Sequence, residues 1–165
     1  AENLSAKKIV SANGNIVMPG LINMHCHAAD SLFRGLVENL PLEEWLGRVW
    51  IAEKAILTPE TTYLGSILGL AENLLSGSTT VMDMFWYPDE TVKAAKDLKS
   101  EYLIPIHWGA FTLASHSWVE PPEIVSKEAI KLQQKYLLPE IGQVLKLGSN
   151  HNTTKKWWRE FSQAN

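Results

Sequence analysis

Two short apolar runs, residues 8–12 and 16–18, flank Asn13-Gly14 near the start of the chain. Asn-Gly suits a type I′ turn, whose two central residues need positive φ, so a small β-hairpin is expected here. Pro19-Gly20 then leads into an apolar stretch, residues 19–27, that reads as a buried strand. Leu42, Trp45, Leu46, Val49 and Trp50 recur at three- and four-residue steps and predict a helix running to about residue 56. A second helix is punctuated at both ends. Thr58 is its N-cap, Pro59 its first position and Gly77 its stop, with Tyr63, Ile67, Leu70, Ala71 and Leu74 as the apolar stripe. Residues 79–85 read as a second buried strand, and Pro88-Asp89-Glu90 opens a third helix to about residue 99, its acidic residues well placed at the N-terminus. The resulting β-α-β-α order is that of a parallel sheet with crossover helices.

Composition narrows the class. The chain has 165 residues, 45% hydrophobic and 20% charged, which suffices for a globular core and excludes a disordered chain. Its net charge is −3, and no basic run exceeds a pair such as Lys155-Lys156, so nucleic acid is not an expected partner. The single cysteine, Cys26, excludes an intrachain disulfide and every CxxC motif and fits a reducing cytoplasm. No apolar run is long enough to span a bilayer, and residues 1–8 lack a signal-peptide layout, so a soluble, cytoplasmic protein without membrane partners is expected. The start without Met, close to the first strand, suggests a longer reading frame or processing.

The apolar stretch ends in His25-Cys26-His27. Side chains at i and i+2 of a strand leave the same face, so the two imidazoles can converge on one cation while Cys26 points away. Imidazole suits zinc, iron or nickel. By spacing alone the pair fits equally well two packed or surface histidines.

Residues 14–27, ending in Pro19-Gly20-Leu21-Ile22-Asn23-Met24-His25-Cys26-His27, closely resemble the start of the amidohydrolase superfamily. Ser31-Leu32-Phe33-Arg34-Gly35-Leu36, residues 40–46 and Ser78-Thr79-Thr80-Val81-Met82-Asp83-Met84 resemble its adenosine-type deaminase and triazine chlorohydrolase branch. The resemblance covers roughly residues 7–97. It implies a (β/α) barrel, of which this piece supplies about a quarter, since a whole one takes about 250 residues. It also implies a divalent metal, zinc or alternatively iron, held first by His25 and His27. Further ligands in that family come from later strands, usually a histidine and then an aspartate that takes a proton from water. No Asp follows Asp97, so that role is vacant or filled by another residue. Glu53 lies where nucleoside deaminases place a carboxylate for substrate hydroxyls, although a solvated helix glutamate is the plainer reading. Asp83 ends the second strand, at the catalytic end of α/β barrels, or else bonds a neighbouring loop backbone.

From Tyr102 the character changes. Residues 102–111 with their His107-Trp108-Gly109 turn, followed by His116, Trp118 and Glu120-Pro121-Pro122-Glu123, resemble the C-terminal end of metallo-β-lactamase-fold phosphodiesterases and lactonases. That resemblance, over roughly residues 101–160, implies a closing strand, a helix at about 123–136, a strand at 143–147 and a Trp157-Trp158 tail. His107 resembles that family's last metal-ligand histidine. Its main His-x-His-x-Asp-His motif is missing, so a complete second site is excluded. His107 is a candidate third ligand to the first site if the two pieces pack face to face.

The expectation is thus an α/β chain of two pieces, 1–97 and 98–165: a hairpin and a partial barrel-type β-α-β-α unit, joined to a C-terminal strand-helix-strand piece. The leading functional expectation is a metal-dependent hydrolase of a C–N bond in a small ring substrate. A phosphodiesterase- or lactonase-like hydrolase and an inactive chimeric or truncated product are the alternatives. Unpaired strand edges would favour self-association, and a monodisperse monomer in sedimentation would count against it.

Overall fold

A computed structural model describes residues 5–84, 87–109, 116–148 and 155–161. Its elements are β1 (Leu21–Cys26), a 3-10 helix (Ala28–Phe33), α1 (Leu42–Ile56), α2 (Pro59–Leu75), β2 (Ser78–Asp83), α3 (Pro88–Asp97), α4 (Glu120–Lys131) and the short α5 (Trp158–Phe161). The architecture is mixed α/β.

β1 and β2 pair in parallel, with Leu21 opposite Ser78 and Cys26 opposite Asp83. Two shorter extended segments continue the sheet beyond β2. The Ile106 amide donates to the Asp83 carbonyl at 2.9 Å, and a parallel bridge joins Asp83 to Pro105. Leu103 in turn brackets Tyr136: its amide donates to the Lys135 carbonyl at 3.0 Å and its carbonyl accepts from Leu137 at 2.9 Å. Four extended segments therefore lie side by side in chain order, all parallel, with helices between them. The third stays a pair of single bridges, in keeping with Pro105, which has no amide to give a ladder.

Helix punctuation works as expected at α2. The Thr58 hydroxyl accepts from the Thr61 amide at 3.2 Å and the Thr61 hydroxyl accepts from the Thr58 amide at 2.8 Å, a reciprocal capping box. Ser76 caps the other end, and Gly77 follows with φ 90°. α2 packs on the 3-10 helix through Gly65 and Gly69. A methyl group at Gly65 would collide with the Ala29 carbonyl oxygen, and one at Gly69 would sit 2.7 Å from that of Ala28.

Several expected elements differ. The Asn13-Gly14 turn forms, with φ 49° and 84° and the Asn15 amide donating to the Ala12 carbonyl at 2.8 Å, but no strands flank it. Ile9, Val10, Ile16 and Val17 all remain exposed, and a two-stranded ribbon with nothing packed on it is marginal in water. Residues 143–147 form no strand either. Among the described residues they have no neighbouring strand to pair with, and Val144 is 93% exposed. The C-terminal helix starts at Glu120, with Pro121 and Pro122 in its first turn, and ends early because Gln133 takes a left-handed φ of 54°. This releases residues 135–137 to pair with Leu103.

One apolar core joins residues from both sides of 97–101. Val92 and Ala95 of α3 pack with Val125 and Ala129 of α4, Leu103, Tyr136, Leu138, Trp157 and Trp158. Trp108 and Trp118 add to the tryptophan cluster, with Trp108 and Trp157 centred 5.3 Å apart. Glu123 fastens the tail: it accepts from Lys156, Trp158 Nε1 and Nε and Nη2 of Arg159, and these partners, Arg159 foremost, hold its pKa down at about 2. Apolar side chains of β1 and α2, among them Ile22, Met24, Leu64 and Leu75, stay exposed.

Gly65→Ala should cost about 1–3 kcal/mol in urea denaturation, because the added methyl meets backbone rather than a movable side chain. An unchanged midpoint would show that α2 and the 3-10 helix are not seated this closely.

Candidate metal centre

Three segments deliver one histidine each side by side. β1 carries His25 near its end, His27 sits at the N-cap of the 3-10 helix, and His107 follows the extended segment beside β2. His107 adopts φ 62°, a left-handed conformation uncommon for a residue with a side chain, which turns the backbone at this point. The Nε2 atoms of His25 and His27 lie 2.9 Å apart. Ring centroids are separated by 5.0 Å for His25 and His27, 4.8 Å for His25 and His107, and 5.1 Å for His27 and His107. One ligand atom from each lies within 4.8 Å of the others.

This geometry suits a small divalent cation. Zinc–imidazole bonds of about 2.0–2.1 Å in a tetrahedron place nitrogens about 3.3 Å apart, between the shortest and the longest separations found here. The protonation state suits it as well. Burial, then His107 and His25, pushes the His27 pKa down to about 4, and burial followed by His25 lowers that of His107. Both are therefore neutral at pH 7, the form that ligates metal. The expected pair at His25 and His27 and the candidate third ligand His107 are brought together.

Asp83 underlies the cluster and is 3% exposed. Its Oδ1 accepts from the Ala28 amide at 2.8 Å and from its neighbour Met84 at 2.9 Å. Its Oδ2 has no hydrogen-bond partner among the described residues. Burial outweighs the two amide bonds and, with Asp30 adding repulsion, raises the pKa to about 7. Through Oδ1 the Asp83 carboxyl group ties down the backbone at Ala28.

Glu53 is 4% exposed, which corrects the picture of a solvated helix glutamate. It belongs to the inward face of α1, and its carboxyl group acts on that of Asp30 in the 3-10 helix. Burial and then this second carboxyl group push Asp30 up to about 7. Asp30 Oδ2 lies 3.8 Å from His27 Nδ1. Sequence reasoning passed over Asp30, although its place three residues after a candidate ligand was the available signal. His116 lies in the loop before α4 and hydrogen-bonds the Ser117 carbonyl through Nδ1, at 3.1 Å, and residues 110–115, part of the second resemblance, fall outside the described residues.

The amidohydrolase family model matches residues 16–159. The match runs across residues 97–101, so the expected change of family there, and with it the metallo-β-lactamase-like and chimeric reading, finds no support in the comparisons. A 5′-deoxyadenosine deaminase of Methanosarcina mazei is 48% identical over 93 residues, 56% of this chain and 21% of that protein. A 5-methylthioadenosine/S-adenosylhomocysteine deaminase of Thermococcus kodakarensis is 43% identical over 96 residues, 58% of this chain and 22% of that protein. Among solved structures, an adenosine deaminase from Xanthomonas campestris with bound zinc aligns with TM-score 0.50 and 28% identity, over 70% of this chain and 26% of that one. The atrazine chlorohydrolase of Arthrobacter aurescens complexed with zinc aligns with TM-score 0.51 and 27% identity, over 74% and 32%. The chain spans about a fifth of the length of these curated relatives.

The raised pKa of Asp83 makes a signed prediction. Between the ordinary carboxylate value of 3.8 and about 7 the folded chain binds a proton that the unfolded chain has released, so this group makes stability fall as pH rises through that window. Asp83→Asn keeps an acceptor for Ala28 but does not titrate. Its urea midpoint relative to wild type, both metal-free, should therefore rise between about pH 5 and about pH 8. An offset that does not change with pH would show that Asp83 ionises normally in the fold.

Proposed function

Because the chain belongs to the amidohydrolase family, we propose that it provides the metal-binding part of a metal-dependent hydrolase acting on a C–N bond of a small ring substrate. The observation that carries this reading is the convergence of His25, His27 and His107, two of them held neutral, at spacings a zinc ion would accept. Zinc is the favoured cation, since both solved relatives named above hold it, and three histidines form a familiar ligand set for catalytic zinc. A cation bound there supplies Lewis acidity and makes water acidic enough to act as a nucleophile near neutral pH.

The chain's own residues divide the remaining work. The three histidines donate nitrogen lone pairs. Asp83 holds the end of β1 against β2, and the neutral, mostly buried surroundings of His27 keep competing protons off the ligand. Glu53, a candidate for substrate hydroxyls, is nearly enclosed and is used in this reading as the partner of Asp30. A purine nucleoside with its exocyclic amine is the favoured substrate class, because the deaminase relatives named above are called adenosine-type deaminases. Metal binding without turnover is the second reading, since the three histidines can hold a cation whether or not a group is present to take up the proton from water.

The chain purified without chelators should contain one zinc per molecule, and His25→Ala, His27→Ala and His107→Ala should each lose most of it. Zinc retained in all three variants, or none in wild type, would overturn the site. Ammonia release from 5′-deoxyadenosine, abolished in the same variants, would mark the enzyme. One bound zinc with no ammonia released would establish the second reading.

A further inference from the structure

The buried edge of His27 points to a residue that no ligand motif contains. Its Nε2 faces His25, which leaves Nδ1 on the inner side of the ring. That nitrogen is buried and has no hydrogen-bond partner among the described residues. A metal-binding histidine ordinarily gives its second ring N–H to a carboxylate, carbonyl or water, and this second bond sets which nitrogen is left for the metal. The nearest carboxylate here is Asp30, with Oδ2 at 3.8 Å.

Asp30 is not there by the chance swing of an exposed side chain. The 3-10 turn places it one turn after His27, where its own amide donates to the His27 carbonyl at 3.0 Å. Glu53 on the inward face of α1, 4% exposed, acts on its carboxyl group as well. α1 and the 3-10 turn together therefore hold an acceptor against the inner edge of the ligand ring.

We propose that Asp30, backed by Glu53, is the positioning residue of this metal centre: it takes the Nδ1–H of His27 and so fixes the tautomer whose Nε2 lone pair faces His25 and His107. The separation of 3.8 Å is longer than a hydrogen bond, and the assignment requires the ring and the carboxyl group to close it. In the metal-free chain the assignment requires His25 to be the donor of the 2.9 Å contact, since His27 Nε2 then carries no proton. Asp30 touches neither metal nor substrate and acts through His27 alone.

The inference rests on the metal reading above for its purpose, though not for its test. Long-range proton–nitrogen NMR correlations of the histidine rings, recorded on metal-free protein, report the tautomer directly. Wild type should show His27 as the Nδ1–H form. Asp30→Ala should shift it toward the Nε2–H form, while Asp30→Asn, which retains an acceptor oxygen, should stay close to wild type. Zinc affinity from chelator competition should fall about 10- to 100-fold in Asp30→Ala and recover in Asp30→Asn. Wild-type His27 in the Nε2–H form, or Asp30→Ala with tautomer and affinity unchanged, would overturn the proposal. Failure of every variant and of wild type to bind zinc would sink the metal reading, and the ring signals alone would then decide whether Asp30 orients His27. Should Asp30→Ala not fold, the wild-type tautomer and the Asp30→Asn affinity decide it.

Discussion

The site depends on Asp83. One residue at the end of β2 is bonded to both flanking segments: its side chain takes the Ala28 amide, just past His25 and His27, and its main-chain carbonyl takes the Ile106 amide, just before His107. Two segments some eighty residues apart, and the three histidines they carry, are thus tied to a single buried aspartate. The cost is visible in its chemistry. A carboxyl group 3% exposed, with one oxygen unpartnered among the described residues, holds its proton up to about pH 7. Losing its bond to Ala28 would strand a buried amide, which costs more than the net worth of an ordinary hydrogen bond.

Much of this was legible in the chain because it is written locally. The Thr58–Thr61 capping box, the stripe of α2 and its Gly77 stop lie within a few residues of the bonds they make, and the β-α-β-α order follows from them. The His25-x-His27 pair needed only the two-residue repeat of a strand. What failed to form depended on partners. Residues 8–18 and 143–147 have strand-like composition, but no neighbouring strand or covering helix rewards it, so only the Asn13-Gly14 turn survives. The arrival of His107 was equally illegible, since it depends on Leu103 and Pro105 finding the sheet edge some twenty residues after β2. Burial of Glu53 against Asp30 is a fact of α1 packing that periodicity does not reveal, because glutamate counts as polar wherever it points.

The two halves of the account meet at residues 97–101. Resemblances drawn from short motifs divided the chain there, whereas the family match continues to residue 159 and the core packs α3 against α4 and the tryptophan tail. In physical terms the second half contributes two things: apolar cover for α3 and β2, and the third imidazole. Metal affinity and folding are linked through it. A cation that binds all three nitrogens favours the arrangement in which residues 103–107 sit beside β2, and it stabilises that arrangement by its own binding free energy.

Crystals grown with zinc and measured at the zinc absorption edge would show whether one cation is held jointly by β1, the 3-10 turn and the segment beside β2. A single strong anomalous peak bonded to nitrogens of His25, His27 and His107 is expected, at the usual zinc–imidazole distance of about 2.0–2.1 Å. A peak held by His25 and His27 with His107 turned away, or a peak elsewhere on the chain, would contradict it.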